Sequence, residues 1–152
     1  ARLVIVGQDP PREIVTDRER SIAVLGHVPE LSGIFDRARI MVAPLRVGAG
    51  VKGKVNQALA CGVPVVGTPI AAEGIPLEHG HSALLADDAI GFAREVVRLY
   101  QDPVLWETLR RAGLEITETH YSSAAARRAL GGLFRDLGLR ADRMDPVGAK
   151  AG

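Results

Sequence analysis

"IMVAPLRVGAGVKGKVNQALACGVPVVGT", residues 40–68, runs from an apolar stretch through a loop of glycines and lysines into a helix-length segment and a second apolar stretch. Residues 40–43 and 63–67 are short, rich in β-branched side chains and bounded by Gly, Pro or Thr, as strands buried on both faces are. Between them, residues 52–60 have the length and composition of a helix. A strand, a loop, a helix and a strand in that order make a unit of parallel sheet, which places the chain in the α/β class.

The loop imitates two phosphate-binding signatures. Gly48, Gly50 and Gly53 spell G-x-G-x-x-G, and Gly48 with Gly53 and Lys54 spells a Walker A loop in which Val55 stands where Ser or Thr belongs. Walker A fails on chemistry, because Val55 has no hydroxyl for a magnesium ion and no apolar strand ends in an acid that would complete the metal site. The dinucleotide fingerprint fails at its acid: the next strand ends at Thr68 where a ribose-binding Asp or Glu is needed, and Glu73 lies beyond Pro69. What survives is the backbone logic. Ligands of open parallel sheets bind where a strand's carboxyl end meets the start of a helix, whose free N–H groups and dipole favour an anion. Charge agrees, since two of the chain's three lysines, Lys52 and Lys54, flank Gly53, and residues 37–72 hold five basic residues and no Asp or Glu.

Working outward, further buried strands are expected at residues 3–6, 22–25 and 83–86. Helices are expected at 30–38, at 88–101 with Ile90, Ala93, Val96, Val97 and Tyr100 on the buried face, and from Pro103 through Trp106, Leu109 and Ile116. Asp87 or Asp88 caps the second of these and Asp102 the third. A polar, proline-rich stretch at 9–20 has helix length, an Ala- and Arg-rich helix runs from 123 to about 137, and residues 139–152 read as a disordered tail. The fold expected is a Rossmann-like, doubly wound parallel sheet with helices on both faces, one domain over residues 1–138. Nineteen basic residues against eighteen acidic ones leave a net charge of +1, so bulk charge does not point to nucleic acid or an anionic membrane. Lone Cys61 gives no disulfide framework, reads as a small buried residue and fits a cytoplasmic setting. The first residue is not Met and the chain opens directly on a strand, so an excised part of a larger protein is expected.

The longer string "ARIMVAPLRVGAGVKGKVNQALACGVPVVGTPIAAEGI", residues 38–75, resembles the nucleotide-sugar-binding domain of the retaining GT-B glycosyltransferases of group 1, family four. "LVIVG" at 3–7, "VLGHVPELSGIFDRA" at 24–38, "HSALLADDAIGFAREVVRLYQDPVLWETL" at 81–109 and "YS" at 121–122 agree in order and spacing. The resemblance covers residues 3–123. It implies one half of a two-domain enzyme that holds a nucleoside-diphosphate sugar while a missing first domain holds a saccharide or lipid-linked acceptor, as in polysaccharide or glycolipid synthesis. It also implies that the first strand of the donor domain lies upstream and that the fragment alone is inactive, while whether residues 123–138 form the helix that in this class often returns to pack on the first domain stays open. No cofactor and no metal are expected, and the full-length protein is expected in the cytoplasm, with peripheral membrane association allowed.

On that resemblance Lys54, then Lys52, stabilises the departing diphosphate, and Arg46, Gly48, Ala49, Gly50, Val51 and Gly53 surround the donor. Gln57 meets the ribose, His27 and Val28 in "GHVPEL" meet the base, and Thr68, Ala72 and Glu73 line the cleft, with turn chemistry the other reading of Glu73 and Gly74. Two departures stand out: the family's two glutamates, seven residues apart, align with Ala49 and Gln57. With Lys52 standing where the family often has Gly, an acidic sugar is one expectation and lost activity another. The other readings kept open are a nucleotide-sugar epimerase of the same fold and a non-catalytic nucleotide-sugar-binding module. The pair His79 and His81 reads as a surface turn rather than a metal site.

Overall fold

In a computed structural model, residues 1–8, 10 and 21–138 are described, and the chain divides into two compact units, Ala1–Arg37 and Ala38–Gly152. The expected helix within 9–20 and the expected tail at 139–152 lie outside the described residues.

In the first unit, β1 (Leu3–Ile5) pairs in parallel with β2 (Ile22–Val24), Leu3 opposite Ile22 and Ile5 opposite Val24. The pairing continues past the strands, where Gly7 N donates to Gly26 O at 2.9 Å. Both strands were expected to be buried, and β1 is not: Leu3 and Val4 are each 42% exposed. Successive strand residues point to opposite faces, so neither face of β1 is fully covered among the described residues. The helix expected at 30–38 is a single turn, α1 (Ser32–Phe35), which buries Phe35. Its cap position is Leu31, which has no side-chain acceptor, and Gly33 sits inside it, so little favours a longer helix.

The second unit is built on three parallel strands, β3 (Met41–Ala43), β4 (Val65–Gly67) and β5 (Leu84–Leu85), in the order β3-β4-β5. Met41 pairs with Val65 and Val66 with Leu84. The central strand is buried throughout, as its uninterrupted apolar sequence requires. Between β3 and β4 lies α2 (Gly53–Ala60), which buries Val55, Ala58 and Leu59; α3 (Pro69–Ala72) is one turn after β4. Then follow α4 (Ala89–Gln101), α5 (Pro103–Ile116), a π-helical turn (Thr117–Tyr121) and α6 (Ser123–Asp136). The observed class is thus the expected one, α/β with parallel sheets flanked by helices.

Caps fall where their side chains demand. Asp88 Oδ1 accepts from the amides of Ile90 and Gly91, both at 2.9 Å, and Asp102 Oδ1 accepts from Val104 and Leu105 at 3.0 and 2.9 Å. The buried face of α4 agrees with expectation at Val96 and differs from it at Ile90, Val97 and Tyr100. Phe92, Val96 and Leu99 pack into the core with Val66, Leu84 and Leu109, while Ile90, Val97 and Tyr100 are 74%, 52% and 45% exposed. Two apolar stripes run along this helix at the same 3.6-residue spacing, and periodicity cannot choose between them; the stripe with Phe92 and Leu99 is the one that turns inward. Cys61, expected inside, is exposed, because it terminates α2 at the surface.

Candidate functional site

The loop between β3 and α2 ends the strand at Ala43 and reaches the helix at Gly53, so it occupies the carboxyl edge of the sheet. Its backbone needs glycine at two points: φ is +151° at Gly48 and +68° at Gly50, conformations that side chains disfavour. Thr68, at the end of β4, ties down the loop's first half. Its hydroxyl donates to Leu45 O at 2.7 Å and accepts from Ala71 N at 3.3 Å, which caps α3. That hydroxyl is engaged in both directions, so Thr68 shapes the loop.

Lys52 fixes the second half. Its Nζ donates to Gly50 O at 2.6 Å and lies 3.6 Å from Glu73 Oε2, while its Cε passes 3.3 Å from where a Cβ on Gly48 would stand. The lysine side chain is only 12% exposed. Behind it, Gly74 at φ +76° brings its backbone against Val51: a Cβ there would meet Val51 Cγ2 at 2.8 Å. Gly74 O in turn accepts from Tyr121 Oη at 2.8 Å.

Lys52 is also the cap residue of α2, and it caps nothing, because an ammonium has no acceptor to offer the helix's first amides. The first turn holds no acid and carries Lys54. Each positive charge at the positive end of a helix dipole costs up to about 1 kcal/mol where an anion would be favoured. Lys54, unlike Lys52, is exposed, with no carboxylate within ion-pair distance among the described residues.

Of the other residues singled out by sequence, Arg46, Gly48, Ala49, Gly50, Val51, Gly53 and Gln57 are all exposed on this loop and helix start. His27, exposed, and Val28, half-buried, follow β2 in the first unit. Asn56 escaped the sequence reading, and Glu73, read from sequence as following β4 towards the cleft or forming a turn with Gly74, was not read as a partner of Lys52. Glu73 is the loop's counter-charge, and Asn56 in the first turn of α2 holds a buried Oδ1 with no hydrogen-bond partner among the described residues. His79 belongs to the scaffold, its Nδ1 accepting from Leu85 N at 2.9 Å. A cavity of about 300 Å³ between the segment before β5 and the end of α5, lined among others by Glu78, His81, Ser82 and His120, includes no residue of the loop. It lies by the entry to β5, the edge where sheets of this kind do not hold ligands.

The sequence profile of the glycosyl transferases of group 1 matches residues 1–102. The chain belongs to this family. As a group 1 glycosyltransferase chain it is 37% identical over 68 residues to an uncharacterized 44.6 kDa protein in the cps region of Klebsiella pneumoniae, a match covering 45% of this chain and 18% of that protein. Solved structures share the fold: sucrose-phosphate synthase from Thermosynechococcus elongatus superposes with a TM-score of 0.74 at 23% identity, over 90% of this chain and 38% of that one. HepE of Anabaena in complex with UDP gives 0.75 at 13% identity, over 90% and 41%. The C-terminal domain of the group 1 protein LpcC from Francisella tularensis gives 0.68 at 17%, over 80% of this chain and 70% of that domain. This glycosyltransferase chain therefore spans less than half the length of several relatives it resembles, and its α/β fold corresponds to one half of a GT-B fold.

Proposed function

We propose that this chain is the donor-binding half of a retaining, metal-independent glycosyltransferase that takes a nucleoside-diphosphate sugar. The observation that carries the reading is the start of α2: a cationic cap residue, no acid in the first turn and an exposed Lys54, behind a glycine loop at the carboxyl edge of a parallel sheet. Cleaving the bond from the anomeric carbon to the diphosphate oxygen builds negative charge on the leaving phosphate. Helix amides and a lysine ammonium, fixed before the reaction, stabilise that charge without rearrangement. Lys54, exposed in the first turn and in no ion pair among the described residues, is the side chain we assign to that role.

The donor is a uridine or other nucleoside diphosphate sugar, in keeping with structural neighbours solved with UDP and with UDP-glucose. Gln57 meets the ribose, where its amide oxygen accepts a hydroxyl without the charge of a carboxylate. The acceptor is held by a further domain of a longer protein. A relative encoded in a cps region supports an acceptor from polysaccharide or glycolipid assembly. Titrating UDP and GDP into the protein while recording amide shifts tests the reading: shifts at residues 46–57 support it, and silence there while the protein binds the nucleotide elsewhere contradicts it.

A further inference from the structure

We infer that the sugar delivered to this site is uncharged, and that the pair Lys52 and Glu73 reads its hydroxyls. The inference rests on the donor-site reading and narrows its substrate class.

A lone buried lysine beside a sugar subsite would call for a carboxylate on the ligand. Lys52 is not alone. Its ammonium spans the loop from Gly48 to the carbonyl of Gly50 and already has a carboxylate at 3.6 Å. Nor is Glu73 a stray surface acid. The segment that carries it is tied to the loop by Thr68 at one end and, at the other, by Gly74, which presses on Val51 and is held by Tyr121 Oη. The glutamate side chain is 54% exposed against 12% for the lysine, so the pair presents its acceptor to the ligand and keeps its cation behind. At 3.6 Å the pairing leaves carboxylate lone pairs free.

An added uronate would bring a second carboxylate to one ammonium, and like charges at that range are strongly disfavoured. A hydroxyl meets no such conflict. It donates to Glu73 Oε2 while accepting from Lys52, and charge-assisted bonds of that kind are stronger than neutral ones.

The test is calorimetric titration of the full-length protein, wild type and Glu73→Gln, with UDP, UDP-glucose and UDP-glucuronate and with GDP, GDP-mannose and GDP-mannuronate. In the wild type the neutral sugar nucleotide binds about tenfold or more tighter than its uronate partner, and Glu73→Gln shrinks that ratio to about threefold or less. Melting followed by circular dichroism checks that the variant folds, and Glu73→Ala, which also removes the carboxylate, replaces it if it does not. A uronate that binds the wild type as tightly as the neutral sugar, or a ratio that the substitution leaves unmoved, overturns the inference. Failure of every bare nucleotide and sugar nucleotide to bind removes the donor-site reading itself and this inference with it.

Discussion

Lys52 and Lys54 are two positions apart and do different work. The first is drawn inward by a carbonyl and a carboxylate, and the second stays in solvent at the helix start. Lys54→Ala in the full-length enzyme is expected to lower kcat/KM tenfold or more, about 1.4 kcal/mol of transition-state stabilisation; unchanged steady-state kinetics would exclude the phosphate role. Gly74 allows a sharper test of the loop's backing. Gly74→Ala adds a Cβ 2.8 Å from Val51 at a φ of +76°, so destabilisation of about 1 to 3 kcal/mol in urea unfolding is expected, and a loss under about 0.5 kcal/mol would show that the contact yields. The loop itself was legible because glycines, lysines and a strand end sit together in sequence. Its counter-charge was not: the acid-free stretch 37–72 stops one residue before Glu73, and the pairing joins residues 21 apart, which no local pattern reports.

At the scale of elements, the helices are readable where a side chain closes a local hydrogen bond and unreadable where only the third dimension decides. Asp88, Asp102 and Ser122 cap three helices from adjacent positions in sequence. Asp102→Ala is therefore expected to cost about 1 kcal/mol, seen as a lowered denaturation midpoint with an unchanged slope. The inward stripe of α4 is the opposite case, since the choice between Phe92 with Leu99 and Ile90 with Val97 rests on what faces the sheet. The approach of α5 to α2 was equally hidden. A Cβ on Gly113 would stand 2.9 Å from Leu59 Cδ2, on a buried residue of α2. Gly113→Ala gains helix propensity of up to about 1 kcal/mol and loses more to overpacking, so a net loss of stability is expected; a gain would mean that Leu59 has room to turn.

For the whole molecule, α6 stands out by its exposure. None of its residues is buried, and Leu130, Leu133 and Leu137 are more than half exposed along one side. On the proposal that this helix packs on a further domain, replacing Leu130 and Leu133 by Ser destabilises the full-length protein by about 1 kcal/mol or more for each, and an unmoved unfolding midpoint speaks against that packing. No helix among the described residues is long and apolar enough to cross a membrane. The central claim is that a sugar nucleotide binds with its diphosphate at the start of α2, and the measurement that tests it most directly is titration of the full-length protein with UDP-glucose and GDP-mannose, wild type beside Lys54→Ala. The account predicts saturable binding that the substitution weakens about tenfold, with wild-type amide shifts concentrated between Arg46 and Gln57; equal affinity in the two proteins, with shifts elsewhere, would contradict it.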